Sequence, residues 1–149
     1  MTNHIVFLPQ RTLAWCLFIL RIGIAIVFFM WTIDKFINPD HASAVFKAFY
    51  KIDNLSSYVA IILGVLQLFL VVLFAIGIYR TQTYSAILIM HIVSTTVSYS
   101  RYLDPWSSGN LLFFAAFPML SACIVLWLLR RYDSISIDGK RSLQSHSYF

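Results

Sequence analysis

Charge is what this chain has least of. Asp, Glu, Lys and Arg make up 11% of its 149 residues, too little to clothe a globular surface of that size in water, so a soluble domain is excluded. Cysteine is limited to Cys16 and Cys123. With no Cys-x-x-Cys, the pair suits apolar filling better than thiol exchange. The four histidines, His4, His41, His91 and His146, are scattered in predicted depth, which argues against a metal or haem site within this chain alone. No glycine-rich phosphate loop, seryl nucleophile motif, internal repeat or second soluble domain is present.

What is abundant is apolar surface: 60% of residues are hydrophobic and 17% aromatic, with a mean hydropathy of +0.78. Four runs, residues 12–36, 57–79, 83–102 and 111–129, approach or exceed the roughly 18 to 20 residues that cross a hydrocarbon core about 30 Å thick. Lipid leaves only helices or closed barrels as spanning solutions, and continuous apolarity without alternation selects helices. Arg11 before the first run also suits a cleavable signal peptide, but the run is too long for one and no small-residue cleavage site follows. The expected fold is all-α: a four-transmembrane-helix bundle over residues 1–133, followed by a mobile Ser-rich tail over 134–149.

Basic loops tend to stay in the cytoplasm. With both termini inside, the inner fringe holds Arg11, Arg80, Arg130, Arg131, Lys140 and Arg141, while Lys35, Lys47, Lys51 and Arg101 lie outside. This moderate bias points to cytoplasmic termini, and the membrane is expected to be a bacterial cytoplasmic one. The net charge of +5 then faces lipid headgroups, and nothing separate supports a nucleic acid as partner. Between the first two runs, Ala42, Val45, Phe46, Phe49 and Tyr50 recur at helical spacing. Asn38 can cap that helix, with Pro39 as its first residue. A short amphipathic helix on the outer membrane surface is expected, either covering the bundle end or offering Phe46, Phe49 and Tyr50 to a partner.

Arg21, Gln67 and His91 fall within roughly a turn of one another in depth, counted at about 1.5 Å per residue. They can form one polar layer that binds a quinone or lipid headgroup, or that joins helices by hydrogen bonds. In the third run, Tyr84, His91, Ser94, Thr95, Ser98 and Tyr102 share a face. At the outer end Asp34, Lys35, His41, Arg101 and Asp104 converge on one level, where Lys35, Arg101 and Asp104 suit partner docking better than stability.

The stretch "LRIGIAIVFFMWTIDKFINP" resembles the first helix of the DoxX-like membrane family, with an early Leu-Arg and a later Lys before Pro. "ILGVLQLFLVVLFAIGIYRT" resembles that family's second helix and its exit into a basic turn. The resemblance covers about residues 20–133. It implies a four-helix membrane bundle that works beside redox proteins, with quinone as candidate cofactor although no cofactor motif is encoded. Where many relatives carry an acid in the second helix, this chain has Gln67. Two functions follow: an accessory or anchoring subunit of a redox or respiratory complex, or of a homo-oligomer, in contact with membrane lipids; and, as the alternative, a quinone-linked oxidoreductase subunit with a direct catalytic role or an assembly chaperone. The first requires fewer assumptions.

Overall fold

The computed structural model describes residues 9–52 and 56–146, apart from the side chains of 57 and 142–146. His4 lies outside these residues, as does the side chain of His146. All regular elements among the described residues are helical, as the apolar runs require.

Helix α1, Gln10–Ile37, buries Ala14, Leu17, Arg21, Ile24, Ala25, Phe28 and Thr32. Their spacing of three, four or seven places them on one stripe. The opposite face, with Ile19, Ile26 and Met30, is exposed yet just as apolar, the arrangement expected where lipid rather than water is the solvent. Helix α2, Pro39–Tyr50, starts with proline in its first turn. Asn38 makes no side-chain cap there; its amide donates to Asp34 instead, at 3.2 Å. Helix α3, Ser57–Ile76, is capped by the Ser56 hydroxyl and ends at Gly77, whose φ is 72°. The Gly77 N–H reaches the Phe74 carbonyl and the Ile78 N–H the Leu73 carbonyl, each at 3.0 Å. This pairing closes a helix most cheaply when the left-handed residue is glycine.

Helix α4, Arg80–Val97, buries Thr83, Tyr84, Ile87, His91 and Thr95. A break at Ser98 separates it from the short α5, Tyr99–Leu103, so the expected third run is two elements. A 3-10 segment, Asn110–Ala115, leads into α6, Ala116–Leu128. Among the described residues, three helices are long and apolar enough to cross a membrane: Gln10–Ile37, Tyr58–Ile76 and Asn110–Leu128. With their apolar outward faces they make the chain an integral membrane protein. Helix α4 falls outside this group because Arg80, Gln82, His91 and its hydroxyl residues lower its hydropathy.

Helix α1 packs along α3 and α4 along α6, with α3 against α4 and α1 against α6 closing the ring. Leu17, Ile24, Phe28, Val71, Phe74, Ile87, Cys123 and Leu126 fill the centre. After α6, a 3-10 turn at Arg130–Tyr132 and helix α7, Ile137–His146, fold back beneath the α3–α4 turn. The segment expected as a mobile tail therefore begins with packed structure. Asp133 and Ser136 are wholly buried, the Asp138 N–H donates to the Gly77 carbonyl at 3.2 Å, and the Asp138 carboxylate accepts from the Arg80 N–H at 2.9 Å. Polar composition concealed this because Asp138 answers backbone groups of the neighbouring turn, while the Ser136 hydroxyl is satisfied within its own segment.

Candidate ligand-binding site

Near the end of the bundle that holds α7, the Arg21 guanidinium is 1% exposed and pairs with the fully buried Asp133. Tyr84 completes the group: its hydroxyl accepts from Arg21 at 3.0 Å and donates to Asp133 at 2.6 Å. A buried arginine requires an anion nearby, because an unpaired charge in such surroundings costs several kcal/mol. Asp133 was not singled out from the sequence. Its signal was its position as an acid beside Arg130 and Arg131, within reach of an interior arginine.

Arg21 does not share a level with Gln67 and His91. It meets Tyr84, whereas Phe28, seven residues further along α1, meets His91, seven further along α4, at 6.2 Å between ring centroids. Phe74 stacks on Tyr84 at 5.1 Å, and Gln67 precedes Phe74 by seven residues on the oppositely directed α3. The expected single layer is thus two, separated by about 10 Å at 1.5 Å per residue. The reason is that α1 runs about two turns past the start of α4 on the α7 side, so equal distances from the two run starts are unequal depths.

The second layer borders two cavities. One, of about 810 Å³, is an apolar crevice on the side of the bundle between α1, α4, α5 and α6, with Gly23, Trp31, His91, Tyr102 and Met119 in its walls. A methyl group built on Gly23 would touch nothing within 4 Å, so the crevice passes directly beside the α1 backbone. Cys16, which is exposed, also lines it, whereas Cys123 is buried. The His91 Nε2 lies 3.0 Å from the Ala116 carbonyl oxygen. A carbonyl only accepts, so Nε2 carries the hydrogen. The His91 Nδ1 and the Tyr102 hydroxyl are buried and have no hydrogen-bond partner among the described residues. By contrast, Thr95 and Ser98 donate to carbonyls of their own helix, at 2.8 and 2.9 Å, so their hydrogens are committed within it.

The other cavity, of about 630 Å³, is a chamber at the α2 end. Gln67 forms part of its wall, and so do Lys35, Phe46, Phe49, Tyr50 and Arg101. These six sequence-selected residues are brought together, with the α2 aromatics lining the chamber. Arg101 donates to Asn110 at 3.3 Å and sits over the Phe49 and Phe113 rings at 5.5 and 5.8 Å, within cation–π range. Lys35 donates to the Trp31 carbonyl at 3.0 Å. The expected cluster of outer charges resolves into local pairs: Asp34 with His41 at 2.7 Å, and Asp104 with the Ser107 hydroxyl. Burial pushes the Tyr50 phenol above its ordinary pKa range, against a hydrogen bond with Ser94 that lowers it. Trp31, Ser94, Ser98 and Phe113 line both cavities, so crevice and chamber share one wall.

Arg21 lines neither cavity. Chemically, the crevice can take an apolar chain with few polar atoms, and the chamber can take a polar or anionic head. The model of the family described as methylamine utilisation protein MauE matches residues 13–104, from the first turn of α1 to just past α5. That stretch carries both cavities' α1, α2, α4 and α5 walls but not Asp133. No curated protein and no solved structure matches the chain.

Proposed function

Because this chain belongs to the MauE family of methylamine utilisation proteins, we propose that it serves such a system as a membrane-embedded accessory subunit that holds one amphipathic molecule, a quinone or a lipid. The observation that carries this is the pair of adjoining cavities: an apolar crevice of about 810 Å³ continuing, past Trp31 and Ser94, into a chamber walled by Lys35, Gln67 and Arg101. Such a shape suits a ligand with a long apolar part and a small polar one. The resemblance of residues 20–133 to DoxX-like proteins favours a quinone, in its oxidised or its reduced quinol form, among the candidates, since some of those proteins resemble subunits of quinone-linked oxidation. In this reading His91 and Gln67 contact the ligand, and Arg21 braces the bundle from the other end. The α2 aromatics and Arg101 form the roof that a partner subunit would meet. Four spans, with α4 crossing in the shelter of α1, α3 and α6, complete the proposal.

Gly23 provides the test. A Cβ there meets no neighbour within 4 Å, so a leucine extends into the crevice, while raising helix propensity by about 1 kcal/mol relative to glycine. Mass spectrometry of organic extracts from gently purified protein should find one enriched amphiphile in the wild type and its loss in Gly23→Leu, with thermal stability kept. An extract no richer than the surrounding detergent and lipid background, or equal contents in both proteins, would reject the amphiphile-holding role.

A further inference from the structure

The crevice has a chemical preference written in one imidazole. His91 is 1% exposed, with Phe28 and Trp31 as ring neighbours at 6.2 and 6.1 Å. Its Nε2 hydrogen is committed to the Ala116 carbonyl at 3.0 Å. A charged imidazole among these apolar rings would be strongly disfavoured, so the ring is neutral and Nδ1 bears a lone pair. That lone pair is buried with no donor among the described residues, an arrangement that polar groups in protein interiors rarely tolerate.

We infer that the crevice selects amphiphiles whose head offers a neutral hydroxyl as hydrogen-bond donor to His91 Nδ1, an inference that rests on the amphiphile-holding role proposed above. A hydroxyl satisfies the orphan acceptor. An ether or a quinone carbonyl sets lone pair against lone pair. Tyr102, whose hydroxyl is also unpartnered and lines the same crevice, can donate or accept, so it adds a contact without discriminating. Trp31 lines the crevice with its ring 6.1 Å from the imidazole, so a hydroxyl that reaches the buried Nδ1 arrives beside the indole. A reduced quinol and a diacylglycerol share this chemistry.

The test uses the full-length protein in dodecyl maltoside and a matched pair of probes: a meta-brominated alkylphenol and its methyl ether, in which a methyl group replaces the donated hydrogen. Bromine quenches tryptophan, and the part due to Trp31 is obtained by subtracting the Trp31→Phe variant. The phenol should bind about tenfold more tightly than the ether, the scale of one hydrogen bond to a buried, otherwise unpaired acceptor. His91→Phe should erase the preference while the ether still binds. Because the phenol-to-ether comparison is made on the wild type, it decides the matter even where that variant does not fold. Equal affinities, or a preference for the ether, overturn the donor rule and leave the amphiphile role standing; absence of Trp31 quenching by either probe removes both. Displacement of the phenol by decylubiquinol or by dioleoylglycerol identifies the source of the hydroxyl. Decylubiquinone should compete weakly, and competition equal to that of the quinol would overturn the inference.

Discussion

A single arginine decides much of the energetics at one end of the bundle. Arg21 and Asp133 are 1% and 0% exposed, so removing either leaves the other's charge buried without its counter-ion. Arg21→Leu and Asp133→Leu should each lower stability by about 3–5 kcal/mol, whereas the two combined should recover most of that loss. Thermal unfolding in detergent measures all three, and additive effects of the two single changes would show that the pair is not coupled. The amphiphile content should not follow Arg21, because it lines neither cavity. The interior position of Arg21 was legible in the sequence, since an arginine within an apolar run must turn inward or snorkel. Its partner was not, because Asp133 lies beyond the last run in a Ser-rich stretch whose composition suggests solvent.

The α3–α4 turn is the element on which contacts from α1 and α7 meet. Gly77 is left-handed, at φ 72°, and a methyl group there would collide with Ser136 and crowd the Arg21 guanidinium. Two residues on, Tyr79 is also left-handed, at φ 50°, yet its side chain is exposed. The two positions should therefore respond in opposite senses. Gly77→Ala should destabilise by more than about 1 kcal/mol, through backbone strain and the clash together. Tyr79→Gly should be neutral or stabilising by up to about 1 kcal/mol, since it relieves the left-handed strain. Chemical denaturation of the two variants in mixed micelles distinguishes them, and a loss at Tyr79 as large as that at Gly77 would mean that the turn is held by the tyrosine ring instead. Helix existence was legible from apolar runs, and the end of α3 from Gly77. The break at Ser98 was not, because serine and tyrosine there continue the helical spacing of polar residues. Nor was the α7 latch, whose contacts depend on backbone groups that composition does not reveal.

At the scale of the whole molecule, the chain must decide which end faces which side. The contacts of Gly77 and Arg80 with Asp138 put the α3–α4 turn and α7 at one end. Phe49 against Phe113, at 5.8 Å, puts α2 and the segment before α6 at the other. The first end carries Arg11, Arg80, Arg130, Arg131, Lys140 and Arg141, and the second Lys35, Lys47, Lys51 and Arg101. An excess of basic residues marks the cytoplasmic side, so the first end should face inward. This arrangement requires α4 to cross even though its own hydropathy is the lowest of the four long helices. Its cost is offset by burial of Tyr84, His91 and Thr95 against α1, α3 and α6, since polar groups at membrane depth are tolerated where protein covers them. In a Cys16→Ser background, with Cys123 buried, Thr81→Cys and Lys140→Cys should react with an impermeant maleimide only after the membrane is opened. Lys47→Cys and Ser108→Cys should react in intact cells. Labelling of Thr81→Cys and Ser108→Cys from the same side would show that α4 does not cross, and the bundle would then have to be rebuilt around three spans.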